Sequence, residues 1–192
     1  MKSIPYCIGT LLLGGLLACG GGFSSSSSST PGLGFTSTAS TSSYRFVKNA
    51  TLSTDTRLAL DLLGPQGTAA RGVALYLATD GTKVEWVNPS TGATTGSLVT
   101  TGSAFTLGSA PQLVSTKAEG ATLQVGAFQK GGAAATYGTT PILTIGLALK
   151  SGTSKGTVLL GAQSGKTSIA LNGDASPTNV GITVDCGSVS VQ

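Results

Sequence analysis

A chain of 192 residues without a single histidine lacks the side chain that most often serves as general base and metal ligand. What remains with catalytic potential is sparse. Seven carboxylates occur, at Asp55, Asp61, Asp80, Glu85, Glu119, Asp174 and Asp185. A glycosidase-type acid–base pair could come from any two of them, but no spacing selects a pair, and Asp80 in Asp80-Gly81 reads as a turn residue. Serines and threonines are plentiful, yet a hydroxyl nucleophile needs an activating base, and no Ser-x-x-Lys motif stands in a suitable context. The stretch GAQSGKTS, residues 161–168, has the look of a phosphate loop. That motif requires G-x-x-x-x-G-K-[ST]. Its first glycine falls on Leu160, and a strand-like TSIAL follows where a helix is needed, so the stretch reads as a turn. Asn172, Asp174 and Asn179 could offer oxygens to calcium, but no EF-hand or repeat motif supports such a site. The expectation is therefore no catalytic residue, no metal and no cofactor.

Binding chemistry is better supplied. Sugar recognition exposes flat aromatic faces, and the chain after residue 43 carries Tyr44, Tyr76, Trp86, Tyr137, Phe46, Phe105 and Phe128. Tyr76, Trp86 and Tyr137 are the candidate binding residues. Trp86 lies in phase with Val84, which favours the core over a platform. Tyr76 alternates away from Val73, Leu75 and Leu77 and falls on the opposite face. No planar row of aromatics emerges, which counts against crystalline polysaccharide and leaves a single glycan chain open. The formal net charge is +4, with basic residues scattered from Arg45 to Lys166. No run of them forms a nucleic-acid stripe, so nucleic acid is not an expected partner.

The elements that must position these residues fall into three parts. Residues 1–18, MKSIPYCIGTLLLGGLLA, have a positive start at Lys2 and an apolar run from Ile8 to Ala18. That run has the length of a signal-peptide core and is shorter than the roughly 20 residues a membrane-spanning helix needs. It ends on Leu16-Leu17-Ala18-Cys19, which resembles the lipobox of bacterial lipoproteins. In that family the cysteine thiol receives a diacylglyceryl group and becomes the new N-terminus. Leu16 and Ala18 fit the pattern, while Leu17 stands where a smaller residue is usual. The resemblance implies Cys19 as the lipid attachment site, the membrane as a partner through that lipid, and a location in the cell envelope. Gly20, rather than Asp, follows the cysteine, which by the same resemblance implies the outer membrane. Cys7 would leave with the leader. Cys186 would then have no partner and is expected as a small buried hydrophobe, with an intermolecular disulfide as the alternative.

Residues 19–43 then form the lipidated cysteine and a Gly/Ser-rich tether, GGGFSSSSSSTPGLGFTSTASTSS after the cysteine. Such a composition behaves as a disordered, flexible coil with an r.m.s. span of roughly 25–30 Å. The patterned domain occupies 44–192. With 9% charged residues and 29 glycines, the chain suits short strands and tight turns better than helices. Period-two alternation puts Leu58, Leu60 and Leu62 on one face of 57–63. It groups Val73, Leu75 and Leu77 within 72–79, Leu123, Val125 and Ala127 within 121–129, and Leu143, Ile145, Leu147 and Leu149 within 141–150. Further strands are read at 83–87, 113–116, 157–161, 167–171, 180–185 and 187–191. Asp80-Gly81 predicts a hairpin turn between 72–79 and 83–87. Asn172-Gly173 predicts a second turn. The fold class is all-β, a sandwich or jelly roll.

Three stretches also carry a family likeness. LALDLLGPQGTAARGVALYLATDGTKVEWV (58–87) resembles the opening of cohesin-like domains. GTTPILTIGLALKSGTSKGTVLLG (138–161) resembles their long strand, Gly/Ser turn and following G-T strand, and GITVDCGSVSVQ (181–192) resembles their closing strand. The resemblance implies a jelly-roll β-sandwich of about nine strands, shared with the family-2 and family-3 carbohydrate-binding modules. It also implies a noncatalytic binding or assembly role with a protein partner, and carbohydrate recognition is the alternative. A fold does not transfer a ligand.

Overall fold

The computed structural model describes residues 30–37, 40–105, 112–129, 134–172 and 178–192. The expected leader, Cys7, Cys19, most of the tether, Gly173 and Asp174 lie outside them. Sixteen strand segments and no helix form among the described residues. In chain order they are β1 (Leu33–Thr36), β2 (Tyr44–Lys48), β3 (Arg57–Leu63), β4 (Ala69–Thr79), β5 (Val84–Val87), β6 (Val99–Thr101), β7 (Gln112–Glu119) and β8 (Thr122–Gln129). There follow β9 (Ala135–Thr136), β10 (Leu143–Leu149), β11 (Gly156–Val158), β12 (Leu160–Ala162), β13 (Ser168–Asn172), β14 (Thr178–Ile182), β15 (Val184–Asp185) and β16 (Ser188–Val191).

Two large sheets make the sandwich. One runs β15–β2–β3–β10–β5, with β6 sharing the edge of β10, and the other runs β14–β13–β4–β8–β7, with β12 and β9 pairing the two ends of β4. A three-stranded ribbon, β1–β16–β11, completes the structure. The alternation read from the sequence sets the register. Leu62, Leu60 and Leu58 stand opposite Leu143, Ile145 and Leu147 in the six-stranded sheet. Val73, Leu75 and Leu77 stand opposite Ala127, Val125 and Leu123 in the seven-stranded one. All twelve side chains are buried in one core, and each fully buried leucine contributes about 1.5–3 kcal/mol.

Three expectations are corrected. The first concerns Asp80-Gly81, which does not close a hairpin. β4 belongs to the seven-stranded sheet and β5 pairs with β10 in the other, so the turn carries the chain across the sandwich. Its local chemistry is as expected for a turn. Asp80 Oδ1 accepts hydrogen bonds from the Thr82 hydroxyl and, at 3.0 Å, the Thr82 backbone N–H. These bonds hold the carboxyl below its usual range. An Asp-Gly pair encodes the reversal, and the flanking strands decide which sheet each side joins.

The second correction moves the start of the domain into the expected tether. Leu33 is buried, and its N–H donates to the Asp55 carbonyl at 2.6 Å. β1 is the antiparallel partner of β16, with Leu33 opposite Val191. Arg45, itself buried, donates from Nη1 to the carbonyls of Thr41, Ser43 and Gly64 at 3.3–3.4 Å and pins residues 41–43 as well. The third correction splits two strands. The run 157–161 breaks at Leu159 into β11 and β12, and 180–185 breaks at Thr183 into β14 and β15. Each break is a bend at which the chain leaves one sheet for another, so long strands become several segments.

Candidate functional site

Each large sheet has one face on the core and one face turned away from it, and the two outer faces differ. On the six-stranded sheet the outward positions are covered. Ala59 is 0%, Thr144 5% and Asp61 9% exposed, although all three point away from the leucines of the core. The cover is made of loops. Asp61 accepts from Asn49 Nδ2 at 3.1 Å and from the Thr144 hydroxyl at 2.6 Å. Asn49 Oδ1 in turn accepts the N–H groups of Thr51 and Leu52, so one carboxylate fixes the 49–53 turn on the sheet. At Gly146 a Cβ would lie 2.9 Å from the Cα of Pro89, which places that loop directly on β10.

Among the described residues, no loop covers the outer face of the seven-stranded sheet. Its outward rows follow from the pairing. Gly72 stands beside Phe128, Ala74 beside Gly126 and Ser115, and Tyr76 beside Gln124 and Lys117. Ile169 and Leu171 of β13 continue the first two rows on the other side of β4. Ala74, Tyr76, Gln124, Gly126, Phe128, Ile169 and Leu171 are half-buried, and Ser115 and Lys117 are exposed. The Phe128 ring lies on this surface because two neighbours have no side chain. A Cβ on Gly72 would run into the ring, and one on Gly126 would sit 2.8 Å from its Cε2. Between Tyr76 and Lys117 the face dips into a shallow depression of about 340 Å³, floored by Ala74 and Gly126.

The edge of this face is shaped by the 161–168 stretch, which is a turn as read from the sequence. β12 pairs with the end of β4 and β13 with its beginning. At Tyr76 between them, the backbone N–H donates to the Ser168 hydroxyl at 3.2 Å and the carbonyl accepts from Gln163 N–H at 2.8 Å. The excursion from Gln163 to Lys166 therefore stands beside Tyr76. On the opposite edge Lys117 and Glu119 form an exposed ion pair at 2.6 Å. Their hydrogen bond and mutual attraction raise the lysine pKa and lower the glutamate pKa. This surface offers an aromatic ring, a phenol, small apolar positions and a few polar side chains. That inventory suits contact with another surface.

Of the three candidate binding residues, only Tyr76 lies on this face. Trp86 is 4% and Tyr137 2% exposed, and neither can stack on a ligand. Trp86 follows its phase with Val84 into the core. Tyr137 follows the two-residue strand β9 and meets Tyr44 and Phe105 edge to face, each at 5.8 Å between ring centres. Burial raises the pKa of its phenol. With these two rings inside, the described residues hold no row of exposed aromatics for a polysaccharide. Phe128 is the residue that sequence reading missed. The signal was present in ATLQVGAFQ, since Phe128 alternates with the core residues Leu123, Val125 and Ala127 and shares its outward phase with Gly126. Cys186 is free and buried, as a small hydrophobe. Burial, with Asp185 alongside, pushes its thiol from 9.0 up to about 11. Among the described residues no group of three histidines, cysteines or carboxylates gathers to hold a metal. Asp174 of the calcium trio lies outside them.

No protein-family model matches the chain, and no curated protein matches it. Solved structures do. The second type II cohesin module from the cellulosomal adaptor ScaA scaffoldin of Acetivibrio cellulolyticus aligns with a TM-score of 0.57 at 16% identity, over 77% of this chain and 94% of that one. That second module including its long C-terminal linker aligns at 0.59 and 13% identity, over 78% and 88%. A chain of a type II cohesin–X-dockerin complex from the same organism aligns at 0.55 and 14% identity, over 76% and 96%. The fold is a cohesin-like β-sandwich.

Proposed function

We propose that this chain is a noncatalytic protein-binding module of the bacterial cell envelope, held by a lipid on Cys19, and that the outer face of the seven-stranded sheet receives the partner. One observation carries this reading. Of two outer faces in one sandwich, loops bury the first down to its carboxylate, while the second displays Phe128 and Tyr76 around a floor of Ala74 and Gly126. Flat apolar surface ringed by polar side chains is what a protein partner uses as the centre of an interface. Aromatic residues there carry a large share of binding energy. One of the chains that align with this one comes from a type II cohesin–X-dockerin complex, which supports a protein rather than a small molecule as the ligand. Residues N-terminal to Thr30 serve as the tether, and the Cys19 acyl chains hold the module to the outer membrane.

The test places a photoreactive side chain in the full-length protein on intact cells, at Ser115 on the open face or at Thr51 over the covered one. Crosslinking to one discrete protein from Ser115, and none from Thr51, is the expected result. Capture of only uncrosslinked chain from both positions overturns the reading of the face. The anchor is tested separately. Cys19→Ala should release the protein from the membrane fraction or stall its processing, and unchanged membrane retention contradicts lipidation.

A further inference from the structure

The seven-stranded sheet ends on two edge strands, β7 and β14, and they are built differently. An edge strand presents unpaired N–H and C=O groups and accepts another strand unless something blocks it, such as charge, proline, a bulge or a covering loop. β7 carries Lys117 and Glu119 on its exposed surface. β14 reads Thr-Asn-Val-Gly-Ile, with no charged residue and no proline, and its first four residues are exposed. Its register with β13 is unbroken from Ser168–Ile182 to Asn172–Thr178, so no bulge interrupts it. Among the described residues no backbone group outside β13 pairs with it.

Val180 marks the unfinished side. Its partner across the ladder, Ala170, is 1% exposed, whereas Val180 one strand further out is 43% exposed. Only one other large hydrophobic side chain is as exposed among the described residues, Leu159, which sits in the bend between β11 and β12. An isolated bend residue needs no explanation. A valine at the centre of an uncharged edge strand, with no partner on its outer side among the described residues, is placed to be covered.

We infer that β14 is an association edge at which a second copy of this chain adds its own β14, antiparallel, to make one sheet continuous through both molecules. The sequence of the edge favours a copy of itself. Two β14 strands bring no like charges together, and small Gly181 and short Asn179 leave room on the outer side. In an antiparallel pair, residues directly opposite share a face. A twofold axis perpendicular to the sheet therefore turns both Val180 side chains toward the same inner side, where they cover each other. The same axis sets the two open faces, with Tyr76 and Phe128 on each, side by side on one surface. The association is isologous and closes at two copies, because the other edge is charged. It stands on β14 alone and holds whether or not the open face binds a partner.

The test follows sedimentation of the full-length chain in detergent across a concentration series. A concentration-dependent dimer is expected. Asn179→Lys should weaken it at least tenfold, and Ser115→Lys on the β7 edge should leave it unchanged. A monomer throughout, or equal effects of the two lysines, overturns the proposal. Circular dichroism checks that both variants keep their strand content. A second measurement does not depend on lysine at the edge. Val180→Cys treated with a short bismaleimide should give a dimer band beyond that of the unsubstituted chain, and Lys117→Cys should not. No added band from Val180→Cys overturns the proposal, as does a crosslink from it only to a different protein in cells.

Discussion

The outer faces of the two sheets are built on similar backbones and finished in opposite ways. Both have a glycine at a crowded outward position. At Gly146 the missing side chain lets the backbone of Pro89 lie on the strand, and the sheet is sealed. At Gly72 it lets the Phe128 ring lie down on solvent-facing surface, and the sheet is furnished without being covered. The lesson concerns what the glycine faces. Opposite a loop it is a packing device, and opposite an aromatic side chain it lets the ring lie flat on the surface. A buried carboxylate sits on the sealed face. Asp61 is tied to Asn49 and Thr144, since a buried carboxylate without such donors is strongly destabilising.

Substituting the paired glycines tests this contrast most severely. Gly146→Val meets backbone that cannot swing aside and should cost about 3 kcal/mol, whereas Gly72→Val displaces a ring with solvent beside it and should cost about 1 kcal/mol. Urea denaturation measures both, and equal losses would erase the distinction between the faces. Next in size is Asp61→Ala. It strands the Asn49 amide and the Thr144 hydroxyl and should lower stability by about 2 kcal/mol, with proteolysis of the 49–53 turn as a second readout. Partner crosslinking from Ser115 should survive that variant.

Tyr76→Ala should act the other way round. Stability should change by less than about 1 kcal/mol, while partner capture should fall about tenfold or more, as for an interface anchor. The smallest effect compares thiols. Cys186 holds its proton to about pH 11, against 9.0 for an ordinary thiol, so at pH 8 it should react with a maleimide far more slowly than a cysteine placed at Ser115. The sign for stability follows from the same shift. The unfolded thiol ionises first, so the contribution of Cys186 is complete below pH 9.0 and is lost as the pH rises through about 11. Melting measured against pH between those limits checks it, with Cys186→Ala removing the dependence on this group.

What could be read beforehand was whatever repeats with period two. β3, β4, β8 and β10 announce themselves because each alternates over seven or more residues. The phase of Trp86 with Val84 points to the core, where it lies, although the sequence reading also keeps it among the candidate binding residues. β1 was not legible. LGFT is four residues among Gly, Ser and Thr, and its strand character comes from β16, which arrives more than 150 residues later. Tyr137 was illegible for a related reason, since it follows a strand of only two residues and no alternation assigns it a side. The open face was half legible. The outward phase of Tyr76 was visible in β4. Phe128 and Gly72 lie on different strands, and their contact is fixed by the β4–β8 register, which local sequence does not encode.

β1 has one more consequence, and it is mechanical. Gly32 and Gln192 exchange backbone hydrogen bonds at the outermost rung of the β1–β16 ladder. A pull through the chain before Thr30 loads that rung first and the next hydrogen-bonded pair, Gly34 with Ser190, only after it opens. Bonds loaded one at a time yield at lower force than bonds loaded together. Under tension between an anchor and a bound partner, β1 should peel away while the two large sheets stay closed. The stretch from Leu33 to Ser43 then adds roughly 35–40 Å of reach. In a chain anchored as proposed, the strand hidden in the glycine-serine run would yield first and lengthen the tether before the sandwich is at risk.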